Sequence, residues 1–203
     1  SPSDVFQLLS ALAVYCATVL LGMTMHAFLV YPALLRVFTP VTVREFLAGI
    51  VPAQLVAFST SSSAATLPVT MKNVERNLGV SSEVTSFVLP LGATINMDGT
   101  ALYQAVAAVF IAQALGIPLD LGAQATIVFT ALLASIGTAA VPSAGIVMLV
   151  IVLESVGVPV AGIALILGVD RILDMCRTAA NVTGDATVAV IVASSEGQLT
   201  STS

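Results

Sequence analysis

The chain has 203 residues, of which 58% are hydrophobic and only 8% are charged, and its formal net charge is −5 at pH 7. Soluble domains carry about 25% charged residues, so this composition excludes an ordinary soluble protein and indicates a membrane protein. The chain holds six Lys and Arg residues in all, which excludes a nucleic-acid-binding protein that needs a basic surface.

The first predicted element is a stretch from Val5 to Leu35 without Asp, Glu, Lys or Arg, long enough for one transmembrane helix of about 20 or more residues. A signal peptide is not expected, because no basic cluster precedes the run and the run is too long. The chain opens on Ser-Pro-Ser without an initiator Met, so we expect a truncated, processed or excerpted chain. We interpret the lone His26 of this element as a core packing residue.

A second segment, from Phe46 to Met71, has no formal charge but is broken by Pro52, by the polar run 59–63 and by Pro68. Basic residues flank this segment on both sides, and the positive-inside tendency would place both flanks in the cytoplasm. A segment that begins and ends on one side of the membrane is re-entrant. Its polar tip is tolerated at membrane depth only where protein or a water-filled cavity surrounds it.

The next two predicted elements are also broken. A span over 84–119 is interrupted at 96–100, where a glycine and its polar neighbours predict an unwound or kinked site. A charge-free segment over 121–153 is broken at 135–138 and at 142–145, and it has no Lys or Arg at either edge. We therefore predict a second re-entrant segment, which opens on the outer face.

The last predicted span, from about Val160 to Val192, carries several charges inside apolar sequence. On a helix with about 100° per residue, its polar side chains fall within one stripe about 100° wide. They are Asp170, Asp174, Arg177, Thr178, Asn181 and Asp185. A charge at the centre of a bilayer costs about 2.5–3.5 kcal/mol, so the stripe is expected to face a polar cavity. This pattern indicates a pathway for a ligand or an ion.

The two broken segments are similar in sequence, and each is followed by a span with an Asn-x-x-Gly motif. Residues 63–68 correspond to 137–142, and residues 96–99 correspond to 181–184. The same order with opposite predicted sidedness indicates an inverted repeat whose broken elements meet near the midplane. Such an architecture is typical of secondary transporters.

Four stretches resemble the glutamate transporter family, the dicarboxylate/amino acid:cation symporters, including its archaeal sodium/aspartate members. They are 60–70, 89–103, 134–138 and 170–185. The resemblance covers nearly the whole chain and implies an all-α membrane protein with the transport-domain fold, two re-entrant helical hairpins and broken transmembrane helices. It also implies that the chain is a C-terminal half, without the N-terminal scaffold.

The resemblance divides the chain into five parts. Residues 1–38 correspond to the sixth helix of the family, 39–80 to hairpin one, 81–119 to the broken seventh helix, 120–157 to hairpin two, and 158–203 to the polar-striped eighth helix with a short tail. It implies a multi-pass protein of the plasma or inner membrane, a homotrimer in the full-length protein, and a transporter without enzymatic activity.

The polar stripe suits a small zwitterion with one extra negative charge. Arg177 can hold a carboxylate with two parallel hydrogen bonds, and Asp174 can accept from an ammonium group, which describes aspartate or glutamate. The alternative is an ion pair between these two side chains that only neutralises the helix. The resemblance implies a substrate site formed by Ser62, Ser63, Met97, Thr100, Val141, Gly145, Asp174, Arg177, Thr178 and Asn181.

Asp98 and Asp185 are single carboxylates in apolar surroundings, and sodium prefers oxygen ligands. The resemblance implies Na⁺ as the coupling ion, with no organic cofactor. It places one ion at Gly92, Asn96, Asn181 and Asp185, a second at Thr94 with the backbone of Ser135, Ile136 and Thr138, and a third near Asn96 and Asp98. The alternative is a protonated Asp98, which burial favours, and proton coupling is its functional form.

The chain also departs from the family pattern. Gln104 stands where the proton- and potassium-coupled animal carriers have a glutamate, so potassium countertransport is not expected. Archaeal members have an arginine at the position of Ser61, and animal members have one at the position of Met175. Arg171, at the edge of the polar stripe, is a candidate replacement.

The predicted function is sodium-coupled symport of L-aspartate or L-glutamate by an elevator-type movement of this domain. A proton-coupled dicarboxylate or glutamate symporter is the alternative, although a dicarboxylate without an ammonium group gives Asp174 no partner. An intramembrane aspartyl protease would use Asp98 and Asp185 as a dyad, but the expected Gly-x-Gly-Asp motif lacks its first glycine. A passive channel does not need a charged, substrate-sized pocket.

Overall fold

The computed structural model describes residues 2–200, and the regular elements in that range are all helical. The α-helices are α1 (Pro2–Met25), α2 (Tyr31–Phe38), α3 (Val43–Thr60), α4 (Ser63–Leu78), α5 (Ser82–Ile95), α6 (Asp98–Ala114), α7 (Leu121–Ile136), α8 (Ala144–Ser155) and α9 (Leu167–Ser195). A π-helical turn, His26–Val30, joins α1 to α2, and a 3₁₀-helix, Val160–Leu165, precedes α9. The all-α prediction is confirmed. Ser1 and 201–203, which belong to the first and last predicted parts, lie outside the described residues.

Two stretches of the described chain are long and apolar enough to cross a membrane. The first, Phe6–Phe38, contains most of α1, the π-helical turn and all of α2 in one continuous rod. The second, Ser82–Ala114, contains α5 and α6. Large apolar side chains on the first stretch, such as Leu9 and Val14, are more than half exposed. A surface of this kind is typical of contact with lipid or with another protein.

Two helix pairs, α3–α4 and α7–α8, each reverse direction at a serine. Ser61 follows α3 with a φ of 53°, and Ser62 then caps α4 by accepting a hydrogen bond from the Ala65 N–H at 3.1 Å. In the second pair, α7 ends at Ile136, and Ser143, with a φ of 61°, precedes α8. Peptide groups without intrahelical partners therefore collect at both reversals, which we call the tips of the pairs.

The break between α5 and α6 is confined to Asn96 and Met97, so the interruption predicted within 96–100 is confirmed. The backbone at both residues leaves the helical region, with ψ angles of 72° and 58°. Asp98 then begins α6, which places its carboxylate at a helix N-terminus. A carboxylate is stabilised there by the helix dipole and by free N–H groups.

Helix α9 runs through the interior, and 16 of its 29 residues are buried. One apolar cluster on its flank is built on α1 and α6–α8, and includes Tyr103 and Leu149. A second apolar cluster is built on α2–α5, and includes Phe46 and Leu89. The polar stripe of α9 lies between the two clusters, where it meets the helix break and the two tips.

Candidate functional site

An internal cavity of about 20 Å³ lies where both tips, the α5–α6 break and the polar stripe of α9 meet. Nine of the ten residues predicted for the substrate site line it: Ser63, Met97, Thr100, Val141, Gly145, Asp174, Arg177, Thr178 and Asn181. Thr138, predicted for a cation site, also lines it, together with Ser61, Ala139 and Ala140. In this closed arrangement the cavity holds about one water molecule.

The two tips touch each other beside the cavity. The Ser62 hydroxyl donates to the Ala140 carbonyl at 2.7 Å, and the Ala64 N–H donates to the same oxygen at 3.2 Å. Ser62, the tenth predicted residue, therefore binds the opposite tip and does not line the cavity. The contact joins the two helix pairs at their turning points, which are 78 residues apart in the chain.

Arg177 is the buried cation of the site, with 2% of its surface exposed. Its Nη2 donates to Asp174, so the ion pair that stood as the alternative interpretation does form. Its Nη1, however, has no hydrogen-bond partner in the described part of the protein. A buried donor without an acceptor costs free energy, and more so when it is charged. The ion pair alone therefore leaves this guanidinium incompletely satisfied.

The second tip is held against this ion pair from two sides. Asp174 accepts a hydrogen bond from the Ser143 N–H at 2.8 Å, through the carboxylate oxygen that does not bind Arg177. On the other side, Gln104 donates to the Gly145 carbonyl at 3.0 Å. A Cβ atom on Gly145 would lie 2.8 Å from the Arg177 guanidinium carbon, so a glycine permits this close approach.

Tyr103 and Asp170 form a layer behind Arg177. Asp170 belongs to the polar stripe predicted from the sequence, whereas Tyr103 was missed. The guanidinium carbon of Arg177 lies 4.2 Å from the centroid of the Tyr103 ring, a cation–π geometry. The Tyr103 hydroxyl donates to Asp170 at 2.6 Å, and both side chains are buried. The spacing gave a signal for Tyr103, because it follows Thr100 by three residues and shares its helix face.

The residues predicted for the first cation site lie close together. Asn96 donates to the Asp185 carboxylate at 3.1 Å, and a Cβ on Gly92 would lie 2.8 Å from the same oxygen. One turn before Asp185, Asn181 accepts a hydrogen bond from the Gly99 N–H at 2.8 Å. Within 2–200 no three His, Cys, Asp or Glu side chains form a metal-binding group. A cation here would therefore depend on amide and carbonyl oxygens as well.

The residues predicted for the second cation site differ in exposure, and their hydroxyls bind carbonyls nearby in the chain. Thr94 is exposed, and its hydroxyl donates to Leu91 within its own helix at 2.8 Å. Ser135 and Thr138 are buried near the second tip, while Ile136 between them is exposed. The hydroxyls of Ser135 and Thr138 also donate to carbonyls of the same helical turn, which leaves backbone oxygens as the groups available to an ion.

Asp98, predicted near the third cation, contacts the first span. Its Oδ2 lies 3.0 Å from the His26 Nε2 and accepts a hydrogen bond from the Tyr31 hydroxyl at 3.1 Å. The prediction that His26 is a core packing residue is therefore wrong: its side chain is 28% exposed and binds a carboxylate. Nothing in the sequence pointed to this contact, which joins residues 72 positions apart.

The positions that lack the family's second arginine differ in their surroundings. Ser61 is buried, lines the cavity, and has a hydroxyl without a hydrogen-bond partner in the described residues. Met175 is half-buried. Arg171 is exposed and does not line the cavity, so it does not take the place of the missing arginine.

The chain matches the model of a known protein family and is similar to several curated proteins. A family model described as the sodium:dicarboxylate symporter family matches residues 2–195. An excitatory amino acid transporter of Caenorhabditis elegans is 52% identical over 181 residues, which are 89% of this chain and 36% of that protein. Excitatory amino acid transporters 1 and 2 of Homo sapiens are 52% and 50% identical over the same length, which covers 33% and 32% of those proteins. The chain thus spans about a third of the length of these curated relatives.

Proposed function

The chain belongs to the sodium:dicarboxylate symporter family, and we propose that the full-length protein carries out sodium-coupled symport of acidic amino acids, L-aspartate or L-glutamate. The observation that carries this proposal is the buried Arg177, which lines the cavity between the tips and whose Nη1 has no hydrogen-bond partner in the described residues. The names of the similar proteins, all excitatory amino acid transporters, support the same class of cargo.

The substrate would replace the internal ion pair group by group. Its side-chain carboxylate takes both terminal nitrogens of Arg177, and its ammonium takes the released Asp174 carboxylate. Its main carboxylate meets the free Ser61 hydroxyl and the N–H groups of the first tip. Met97, Thr100, Thr178 and Asn181 complete the enclosure. Because the closed cavity holds about one water molecule, entry of an amino acid requires the tips to separate.

Sodium is the second cargo in this proposal. One ion binds at Gly92, Asn96, Asn181 and Asp185, a second near Thr94 with the backbone of Ser135, Ile136 and Thr138, and a third near Asn96 and Asp98. Asn181 supports coupling between ion and substrate, because it lines the cavity and also binds the helix that follows the break. If ion and substrate stabilise the same closed arrangement, each raises the affinity of the other by the same factor.

The architecture we propose places both helix pairs as re-entrant hairpins of an inverted repeat, over 39–80 and 120–157. Three observations support it: each pair reverses near a serine with positive φ, the tips touch, and each pair precedes a span that holds an Asn-x-x-Gly motif. The remaining parts, 1–38, 81–119 and 158–203, are the spans of a transport domain. In a homotrimer of the plasma or inner membrane, this domain moves as an elevator.

Isothermal titration of L-aspartate into the full-length protein in sodium tests the proposal. We expect Arg177→Ala to weaken binding by at least about 30-fold, since removal of one partner of a buried charged pair costs about 2–5 kcal/mol. Arg171→Ala is the matched control, because Arg171 lies on the same helix but is exposed. The aspartate affinity of this variant should match that of the unaltered protein. Unchanged aspartate affinity in Arg177→Ala would contradict the proposal.

Binding and transport in sodium-free buffer distinguish sodium coupling from the proton-coupled alternative. Sodium-free buffer should abolish aspartate binding, and succinate should bind poorly, because a ligand without an ammonium group leaves the buried Asp174 without a cationic partner once Arg177 is engaged. Transport of succinate in sodium-free buffer would instead favour a proton-coupled dicarboxylate symporter.

A further inference from the structure

The π-helical turn in the first span brings two polar side chains onto one face. In an α-helix, residues five positions apart point about 140° away from each other, so His26 and Tyr31 would diverge. Here the Tyr31 N–H donates to the His26 carbonyl, the i→i+5 bond of a π-turn, which aligns the two residues. Their rings meet edge to face, with centroids 4.6 Å apart and an interplanar angle of 77°.

Both aligned side chains meet the same atom of Asp98. The Tyr31 hydroxyl donates to Oδ2 at 3.1 Å, and the His26 Nε2 lies 3.0 Å from the same oxygen. An ionised carboxylate only accepts hydrogen bonds, so the positioning role proposed below needs the His26 tautomer that carries a hydrogen on Nε2. Oδ1 takes part in neither contact, so both contacts hold one carboxylate oxygen and leave the other for a further ligand.

Tyr31 also reaches the region proposed for sodium. Its hydroxyl lies 3.1 Å from the Ala180 carbonyl of α9, and it can donate to this oxygen or to Asp98. A Cβ on Gly184 would lie 2.7 Å from the Tyr31 hydroxyl and 2.9 Å from the Asn96 Nδ2. The first span therefore contacts the helix break and the centre of α9 at one point.

We propose that the π-helical turn of the first span orients the Asp98 carboxylate for cation binding, with His26 and Tyr31 as positioning residues. The inference rests on the proposed sodium coupling and adds residues that neither the sequence analysis nor the family comparison assigns. π-turns occur frequently at functional sites, and hydrogen-bonded partners of metal-binding carboxylates set the orientation and affinity of those ligands.

The test is the sodium dependence of aspartate uptake by the full-length protein in liposomes. Tyr31→Phe and His26→Leu should each raise the sodium concentration for half-maximal uptake by about 10-fold or more, the usual effect of losing such a partner. The rate at saturating sodium should fall much less. His26→Gln, which keeps a hydrogen-bond donor, should restore part of the loss.

Tyr15→Phe is the matched control. Tyr15 lies on the same span, is 2% exposed, and has a hydroxyl without a hydrogen-bond partner in the described residues. Its removal should leave the sodium dependence unchanged. In an Asp98→Asn background, Tyr31→Phe should not raise the sodium concentration for half-maximal uptake any further, because the carboxylate that Tyr31 orients has already been replaced.

Two results would overturn the positioning role alone: a shift in Tyr31→Phe no larger than that in Tyr15→Phe, or a full additional shift in the Asp98→Asn background. Uptake by the unaltered protein that does not depend on sodium would instead overturn the proposed function. The two failures are therefore distinguishable in one set of measurements.

Discussion

The Tyr103 ring supports the Arg177 guanidinium, and Asp170 in turn holds the Tyr103 hydroxyl. A desolvated cation–π contact contributes about 2 kcal/mol, which is comparable to a charged hydrogen bond. The arginine is therefore fixed by an aromatic surface on one side and by Asp174 on the other. The Tyr103 contact can persist when a ligand takes over Asp174.

This layer leads to a prediction about aspartate affinity. Tyr103→Leu removes the ring and should weaken aspartate binding about 10-fold or more, as the loss of a contact worth about 2 kcal/mol implies. Tyr103→Phe keeps the ring and loses only the bond to Asp170, so its affinity should fall less. Isothermal titration in saturating sodium measures both variants, and equal losses would show that the ring does not support Arg177.

The charged and amide side chains around the cavity could be predicted because a charge or an amide in apolar sequence is itself the signal, whereas the apolar and glycine residues followed only from the family resemblance. Arg177 and Asp174, three residues apart on one helix, are examples. The contact between His26 and Asp98 could not be predicted. Its geometry depends on the π-helical turn, and regular helical spacing would have placed His26 and Tyr31 on different faces.

The second tip depends on a glycine at the start of α8. A Cβ on Gly145 would lie within 3.0 Å of three guanidinium atoms of Arg177, a side chain that is itself buried. Either the arginine or the tip would have to move. By contrast, a Cβ on Gly137, which follows α7 with a φ of −89°, would have its nearest neighbour at 3.5 Å, an ordinary van der Waals contact with the end of the Met148 side chain.

We predict that alanine at these two glycines has different effects on the KM for aspartate. Gly145→Ala should raise the KM for aspartate about 10-fold, because overpacking costs about 1–3 kcal/mol in a well-packed site. Gly137→Ala in the same segment should leave the KM unchanged, since it needs neither a left-handed backbone nor extra space. Uptake measured at saturating sodium tests both, and equal KM values for the two variants would contradict the proposed role of the close approach.

Helix breaks were predictable where the sequence interrupts its own apolar pattern. Asn96 and its neighbours are polar residues and a glycine within a span, and the structure breaks there. The π-helical turn has a weaker mark: residues 26–30 contain neither Pro nor Gly nor a polar run, but Pro32 follows, and a proline has no N–H to bond the carbonyl four residues before it. The turn allows the Tyr31 hydroxyl to contact Asp98 and Ala180, and the local sequence does not reveal these tertiary contacts.

At the scale of the whole molecule, sodium is expected to stabilise the fold. A ligand that binds only the native state adds about 2.7 kcal/mol at 100 times its Kd, so the melting temperature of the full-length protein should rise with sodium. Asp185→Asn should remove most of this rise, because it replaces the buried carboxylate proposed for the first ion.

Asp120→Asn is the control for that experiment. Asp120 caps α7 by accepting the Ala123 N–H at 2.7 Å, and Asn is an equally good cap. This variant should keep the full sodium-dependent rise in melting temperature. An equal rise in Asp185→Asn would argue against an ion at that carboxylate.

The membrane character followed from composition and from the lengths of the apolar runs, whereas the all-α class was implied by the family resemblance. The meeting of the tips with the centre of α9 followed only from comparing the two halves of the chain, since neither broken segment reveals its neighbour. The size of the cavity was beyond prediction, because it depends on the packing of side chains such as Tyr103 and on the contact between Ser62 and Ala140.

The Ala140 carbonyl accepts hydrogen bonds from two donors of the opposite tip, Ser62 and Ala64. Withdrawing either tip breaks both bonds, and an intramolecular hydrogen bond of this kind contributes about 0.5–1.5 kcal/mol. Only water or an arriving carboxylate can take over the lost acceptor. In the proposed transporter, these two bonds therefore keep the tips together when no ligand is bound.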